Sequence, residues 1–279
     1  MQNKLKVLML GDIVGVPGRA IFKKYIKSLK DQHKLDFVIV NGENSADGKG
    51  ITPKIMEFYK NNHVDVVTSG NHIWQKKDII PYFASHNDLL RPANFPNGCP
   101  GTGAQVYRCE TPSGTYSIGV MNIQGRVFMK ELLSDPLRTA DTFLTMLKSK
   151  TNIILVDFHA ETTAEKLGFA YYLDGKVSAV VGTHTHIQTA DNRVLPNGSA
   201  YITDLGMAGA LNSMIGMKKD PIIHNMLTQM PVKFEVETEG PFVLSGVVIE
   251  IDTTSGKANS IERVYIVDKD IIIDKNSVE

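Results

Sequence analysis

The chain has 279 residues, of which 42% are hydrophobic and 22% are charged, and these values exclude a disordered or collagen-like chain. Thirty basic residues balance thirty acidic ones, so the chain lacks the strong positive charge with which proteins hold a long nucleic acid. Cys99 and Cys109 form no C-x-x-C pair and support neither a disulfide framework nor a thiolate metal site. We expect a single domain, residues 1–279, in the cytoplasm, because no apolar run is long enough to span a membrane.

Short apolar runs rich in Val and Ile predict buried parallel strands, because their residues are apolar at successive rather than alternate positions. Helical stretches separate several of them: one covers about residues 17–34, and others open at Thr52-Pro53 and Asp135-Pro136. This alternation predicts an α/β fold with helices packed on the sheet. The runs are Val7 to Leu10, Phe37 to Val40, Val64 to Val67, Ile153 to Val156 and Ala179 to Val181.

The later part of the chain carries a second set of strand-like segments, which we interpret as a second, largely antiparallel sheet. The last two of these segments flank Thr253-Thr254-Ser255-Gly256, a sequence typical of a hairpin turn. Residues 206–238 lack clear periodicity and predict loops and short helices. The strand-like segments are Thr115 to Asn122, Ala200 to Thr203, Phe242 to Asp252 and Ile261 to Val267.

Polar side chains follow five of the predicted parallel strands. Groups just beyond the carboxyl ends of parallel strands converge on one crevice, so we expect these side chains to lie close together. Each could instead cap a helix or hold a turn, and we assign such ordinary roles to His33, His63, His86 and His224, which lie away from strand ends. The five segments are Gly11-Asp12, Asn41-Gly42-Glu43-Asn44, Ser69-Gly70-Asn71-His72, Asp157-Phe158-His159 and Gly182-Thr183-His184-Thr185-His186.

These segments carry carboxylates, amides and imidazoles, which together suit transition metals such as manganese, iron, cobalt or zinc. One ion is saturated by three or four protein groups, whereas eight candidates converge here, so two ions are expected. Asp12 and Glu43 neutralise only part of the charge of two divalent ions, and the remainder would attract a phosphodiester anion. The candidates are Asp12, Glu43, Asn44, Asn71, His72, His159, His184 and His186.

Several of these motifs resemble those of a known superfamily. Gly70-Asn71-His72, the segment Gly182 to His186 and His159 are similar to calcineurin-type metallophosphoesterases. The chain is more specifically similar to the YmdB family of bacterial phosphodiesterases, which implies an α/β fold: a four-layer α/β/β/α sandwich of two mixed sheets flanked by helices. The YmdB-like segments are Leu10 to Gly15, Asn41 to Asn44, Asn122 to Phe128 and Asp204 to Met207.

The resemblance also implies a role for each candidate. Glu43 would bridge the ions; Asp12, Asn44 and His186 would hold one; Asn71, His159 and His184 would hold the other. At the position of Val14 the wider superfamily has a His, and at the position of Glu43 it has a bridging Asp. Both departures of this chain agree with the YmdB pattern.

The implied activity is hydrolysis of small phosphodiesters, 2′,3′-cyclic nucleotides above all, by a metal-bridging hydroxide, with His72 protonating the leaving oxygen. Iron or manganese is favoured as the metal, with zinc or cobalt as alternatives, and a homo-oligomer is expected.

Other functions remain open at this point. The same fold could serve a phosphomonoesterase, or a regulatory binding protein that keeps the metal site for structure. His72 could be structural rather than catalytic, and Trp74 could stack on a nucleobase or pack in the protein. A phosphate-binding glycine loop is disfavoured, because Gly11 to Gly18 lacks the G-x-G-x-x-G spacing and Gly50 stands where a Walker A loop needs Ser or Thr.

Overall fold

A computed structural model describes residues 4–273 as two six-stranded sheets flanked by helices. Among these residues, no helix is both long enough and apolar enough to cross a membrane. The helices are α1 (Gly15–His33), α2 (Pro53–Asn61), α3 (Pro136–Lys148), α4 (Thr163–Leu173) and α5 (Lys219–Thr228), with a 3₁₀ helix at Lys77–Ala84. The strands are β1 (Lys4–Ile13), β2 (Phe37–Asn41), β3 (Val66–Thr68), β4 (Ala104–Thr111), β5 (Gly114–Gln124), β6 (Ile153–His159), β7 (Ala179–Thr183), β8 (Arg193–Val194), β9 (Ala200–Ile202), β10 (Met207–Ala210), β11 (Phe242–Asp252) and β12 (Ala258–Asp268).

The first sheet has the strand order β12-β11-β10-β1-β2-β3, and β11 also pairs directly with β1. Strands β10, β1, β2 and β3 run parallel, whereas β11 and β12 are antiparallel to their neighbours. The register of β1 against β2 shifts between Leu10 and Asp12, so that Asp12 lies opposite Asn41 at the end of the sheet. This irregularity places the Asp12 side chain next to the loop that follows β2.

The second sheet has the order β4-β5-β6-β7-β9-β8. Its four inner strands, β5, β6, β7 and β9, are parallel, and the edge strands β4 and β8 are antiparallel. His159, the last residue of β6, lies opposite Gln124 of β5 and Thr183 of β7. The carboxyl ends of these parallel strands therefore share one edge of the sheet.

Three main hydrophobic clusters lie between the layers of sheets and helices and hold them together. One joins the first sheet to α1 and α2 and includes Phe22 and Tyr59. A second lies between the sheets and includes Val7 from the first and Leu155 from the second. The third joins the second sheet to α3 and α4 through side chains such as Phe158. This α/β/β/α arrangement of two mixed sheets confirms the predicted fold class.

The prediction of a largely antiparallel second sheet is wrong. Strand β5 is parallel to β6, because α3 connects the two as a crossover, and β9 is parallel to β7. Strands β11 and β12 form the predicted hairpin but belong to the first sheet. The five runs predicted as parallel strands are likewise divided, three in the first sheet and two in the second.

Local capping explains where two of the three predicted helices, α2 and α3, begin. The Thr52 hydroxyl accepts a hydrogen bond from the Ile55 amide before α2, and the Asp135 carboxylate accepts from two amides before α3; each helix then opens with proline. Residues 206–238, predicted as loops and short helices, contain α5 and also β10, which was not predicted. None of the α5 residues is buried.

Candidate metal centre

The two sheets bring the predicted polar segments to one edge of the sandwich. Asp12 lies near the end of β1, and the loops after β2 and β3 carry Glu43-Asn44 and Asn71-His72. From the second sheet, His159 ends β6 and the loop after β7 carries the other two imidazoles, His184 and His186. The side chains therefore converge from two sheets packed face to face, rather than from a single open sheet.

One group of side chains surrounds Asn44. Its Nδ2 lies 3.1 Å from Asp12 Oδ1 and 3.1 Å from His186 Nε2. His186 Nε2 is also 3.6 Å from Asp12 Oδ1. The Asp12, Asn44 and His186 side chains are all buried, and these short distances show that their polar atoms face one another.

A second group surrounds His159. Its Nε2 lies 3.0 Å from Asn71 Oδ1 and 3.1 Å from His184 Nδ1. One ligand atom each from Glu43, His159 and His184 lies within 4.8 Å of the other two, a spacing that could hold a metal ion. His159 is buried, whereas Asn71 and His184 are partly exposed.

Glu43 joins the two groups. Its Oε1 is 3.2 Å from His159 Nε2 in one group and 3.3 Å from Asn44 Nδ2 in the other. Gly70 packs so closely against this carboxylate that a Cβ atom at Gly70 would lie 2.5 Å from Glu43 Oε2 and 2.3 Å from His159 Nε2. Only glycine fits there without displacing both groups.

The donor chemistry of both groups fits divalent transition metals, because neutral imidazoles, amide oxygens and carboxylates are all suitable ligands. Asn71 directs its carbonyl oxygen at His159 Nε2, toward the space between the two groups of side chains, which is called the shared space below. Asn44 directs its NH₂ group there and its carbonyl oxygen to His72 Nδ1, 2.9 Å away. Rotation of the Asn44 amide exchanges its two polar atoms, which would present the oxygen to an ion and the NH₂ group to His72.

The electrostatics of the centre also favour a cation. Burial by itself raises a carboxyl pKa, but adjacent imidazoles outweigh burial and hold the pKa of Asp12 and Glu43 below their ordinary values. Burial opposes the charged form of His159, yet the neighbouring carboxylates raise its pKa to about 9. Burial and the charge of His159 lower the pKa of His184 to about 3. The two buried carboxylates therefore favour positive charge beside them, whether on a neighbouring imidazole or on a bound cation.

His72 lies at the open side of the centre, with 24% of its side chain exposed. Its backbone amide donates to Glu43 Oε2 at 3.0 Å, and its Nδ1 faces Asn44 Oδ1. Trp74 packs edge-on against Phe95, with ring centroids 4.9 Å apart. This contact supports the packing role for Trp74, and stacking on a nucleobase stays a prediction.

Sequence reasoning missed the buried Asp204 and Lys166, which lie behind the loop that carries His184 and His186. His184 and His186 have φ values of 100° and 65°, a backbone region that residues other than glycine rarely adopt. Between them, the Thr185 amide donates to Asp204 Oδ2 at 3.2 Å, and Asp204 forms a buried ion pair with Lys166 at 2.6 Å. Asp204 lies in a YmdB-like segment, but nothing local to that segment indicates its partner 38 residues away.

Asp157 was also given no role from sequence, although it joins the two sheets beneath the centre. Its carboxylate accepts from Asn41 Nδ2 at 3.0 Å and from the Thr68 hydroxyl at 2.5 Å, both in the first sheet. It also accepts from the Thr183 hydroxyl at 2.7 Å, and that oxygen lies 2.9 Å from His159 Nδ1. Asp157 thereby orients a candidate ligand through Thr183.

We expect Asp157→Ala to destabilise the metal-free protein by roughly 2–4 kcal/mol, because it leaves buried donors without an acceptor. The loss is partly offset because the cost of burying a carboxylate, which raises the Asp157 pKa to about 6, disappears as well. Thermal denaturation in chelator should show a midpoint lower by roughly 4–16 °C. Asp31→Ala, at an exposed position near the end of α1, is the matched control. Equal midpoints for the two variants would contradict this role of Asp157.

Comparison with known proteins shows similarity along nearly the whole chain. The model of the family described as YmdB-like protein matches residues 8–264. A 2′,3′-cyclic-nucleotide 2′-phosphodiesterase of Bacillus subtilis is 47% identical over 264 residues, which cover 95% of this chain and 98% of that protein.

Two solved structures are also similar. A crystal structure described as a novel phosphatase of Mycoplasma pneumoniae has a TM-score of 0.89 and 35% identity, with 100% of both chains covered. A hypothetical protein of Thermus thermophilus has a TM-score of 0.86 and 34% identity, with 95% of this chain and 100% of the other covered.

Proposed function

The chain belongs to the YmdB-like protein family, and on that premise we propose that it is a dinuclear metal-dependent phosphodiesterase that hydrolyses 2′,3′-cyclic nucleotides. The observation that carries this proposal is the pair of donor groups, each with one amide and at least one imidazole, that meet at Glu43. The Bacillus subtilis relative supplies the substrate class.

Seven side chains would hold the two ions. Glu43 lies between the groups, Asp12, Asn44 and His186 surround one position, and Asn71, His159 and His184 surround the other. When bound, the ions supply positive charge for the phosphoryl oxygens and lower the pKa of a bound water. We further propose iron or manganese as the native metals, with zinc or cobalt as alternatives, because the donor set combines imidazole and carboxylate without thiolate.

The protein's own groups would bind and orient the substrate. Asp12 and Glu43 are the only carboxylates in the proposed ligand set, and amide ligands would not neutralise an ion, so a loaded centre would keep a positive charge that attracts a phosphodiester anion. Buried Asp12, Glu43 and His159 close the inner side, whereas partly exposed His72 and His184 mark the open side. A cyclic phosphate would therefore enter past these two imidazoles.

His72 is the proposed general acid. The contacts of its amide and Nδ1 with Glu43 and Asn44 fix the ring and leave the Nε2 edge for a bound substrate. Cleavage of the bond between phosphorus and the ribose 2′-oxygen expels an alkoxide, which is a poor leaving group. A proton held at Nε2 and given to that oxygen would make departure possible.

The decisive experiment combines metal analysis with a choice of substrates. Elemental analysis of protein purified without added metal should find about two transition-metal ions per chain, as a two-metal site requires. Hydrolysis of bis(p-nitrophenyl) phosphate should exceed that of p-nitrophenyl phosphate by at least ~10-fold in kcat/KM, about 1.4 kcal/mol in transition-state stabilisation. A preference for the monoester would instead favour a phosphomonoesterase, an alternative supported by the name of the Mycoplasma pneumoniae structure.

The proposal also covers the domain organisation, the oligomeric state and the location of the protein. A single domain is supported by the hydrophobic cluster that both sheets share. Self-association as a homo-oligomer is supported by large apolar side chains on the surface, among them Phe128 at 86%, Leu132 at 97% and Leu227 at 80% exposure. A cytoplasmic location is supported by two cysteines that form no disulfide, Cys99 and Cys109.

A further inference from the structure

Each of the three imidazoles in the candidate ligand set turns one ring nitrogen to the shared space and the other to a hydrogen-bonding partner. His186 directs Nε2 inward, and its Nδ1 lies 2.8 Å from the Ile215 carbonyl oxygen. His159 also directs Nε2 inward, and its Nδ1 lies 2.9 Å from the Thr183 hydroxyl. The second nitrogen decides which tautomer a neutral imidazole adopts, and hence which nitrogen offers a lone pair to a metal.

His184 has the opposite orientation. Its Nδ1 faces the shared space, 3.1 Å from His159 Nε2, and its Nε2 lies 3.1 Å from Oε2 of Glu161. Glu161 follows β6 directly after Ala160 and precedes Thr162, the residue that caps α4. The carboxylate that contacts His184 thus lies on the short segment between β6 and α4, two residues after His159.

Glu161 differs from the other two partners in charge and in exposure. Ile215 offers a backbone carbonyl and Thr183 a buried hydroxyl, whereas Glu161 offers a carboxylate whose side chain is 48% exposed. A carboxylate accepts a hydrogen bond more strongly than a carbonyl or hydroxyl oxygen, and it raises the basicity of the opposite ring nitrogen. Half-exposure also means that removal of this side chain leaves no buried cavity.

We infer that Glu161 is a positioning residue of the metal centre: it accepts the Nε2 proton of His184 and thereby orients the Nδ1 lone pair toward the ion shared with His159 and Asn71. This inference rests on the proposed function. Glu161 itself acts through His184 and need not touch substrate. Because Glu161 contacts neither Asn44 nor His186 in the described hydrogen bonds and ion pairs of residues 4–273, it should affect one ion and spare the other.

The test is a titration of metal-free protein with Mn²⁺, in which free Mn²⁺ is counted by electron paramagnetic resonance and heat by calorimetry. Glu161→Ala should weaken one of the two Mn²⁺ sites by ~10–100-fold, as loss of a hydrogen-bonding partner of a metal-bound imidazole usually does. Glu161→Gln should retain most of the affinity, because its amide oxygen accepts the same proton. Glu57→Ala, at an exposed position of α2, is the matched control and should bind both ions like the unmodified chain.

Three outcomes would overturn the inference. Unchanged affinity of both sites in Glu161→Ala would remove any role for this carboxylate, and equal weakening of both sites would mean a general disturbance. A loss in Glu161→Gln as large as that in Glu161→Ala would contradict hydrogen bonding as the cause. Failure of the unmodified chain to bind Mn²⁺ is a distinct result: it would overturn the proposed metal centre first, and the role of Glu161 with it.

Discussion

Glu43→Gln is expected to remove both metal ions and to lower phosphodiesterase activity by at least ~10³-fold, which corresponds to about 4 kcal/mol of lost transition-state stabilisation. The reason is geometric. Glu43 Oε1 contacts His159 of one donor group and Asn44 of the other, so it is the side chain that the two groups share. Glutamine keeps the size of the side chain but has no charge and offers one acceptor oxygen instead of two.

The surroundings of Glu43 leave the substituted side chain little freedom to compensate. Glu43 is 1% exposed, and Gly70 packs against its carboxylate. Its Oε2 already accepts the His72 amide. A glutamine NH₂ group would therefore have to face either that donor amide or the position of the ions, and both arrangements are unfavourable.

Metal content and activity should be measured together for this variant. Elemental analysis and hydrolysis of 2′,3′-cyclic AMP, with Glu57→Gln as an exposed control on α2, report on both expectations. Circular dichroism in chelator checks that the fold is retained. Two bound ions in Glu43→Gln would contradict the bridging role. A biological effect of the protein that survives loss of both metal and activity would favour the regulatory binding protein over the enzyme.

The second large effect is expected for His72→Ala, which should keep both metals and slow the hydrolysis of 2′,3′-cyclic AMP by ~10²-fold or more. His72 contacts Glu43 and Asn44 through its amide and Nδ1. The amide contact survives substitution, because it belongs to the backbone. Loss of the ring therefore removes the proposed proton donor and leaves the donor groups largely in place.

Substrates with different leaving groups distinguish a general acid from a structural role for His72. The ribose alkoxide needs a proton to depart, whereas p-nitrophenolate departs readily without one. The loss in His72→Ala should therefore be much smaller with bis(p-nitrophenyl) phosphate than with 2′,3′-cyclic AMP. Equal losses with both substrates would contradict general acid catalysis, and loss of a metal ion would make His72 a ligand.

A histidine remote from the centre provides the control for this comparison. His33 lies in the last turn of α1, beside a cavity lined by Lys4 and Lys34 at the amino-terminal end of β1. This is the opposite end of the strand from Asp12, so His33→Ala should leave both substrates and both metals unaffected. A loss of activity in that variant would show that the assay responds to stability rather than to chemistry.

Sequence reasoning selected eight side chains, and the structure brings all of them to one edge of the sandwich, although their roles as ligands and acid stay predictions. They could be selected because each lies at or just after a short apolar strand, and strand ends are visible in a local pattern. Their partners were not visible in this way. Asp157 contacts Asn41 across 116 residues, and Lys166 contacts Asp204 across 38. Glu161 resembles any other surface carboxylate until its neighbour is known.

The sequence by itself determined the α/β class, the starts of α2 and α3, and the positions of the polar loops. Apolar runs, helix caps and turns depend on residues that are close together in the chain. Only the tertiary structure decided that β5 is parallel to β6, that β11 joins the first sheet, and that the centre lies between two sheets. Strand partners are chosen by crossover connections and by burial of both faces, and these are properties of the whole chain rather than of any segment.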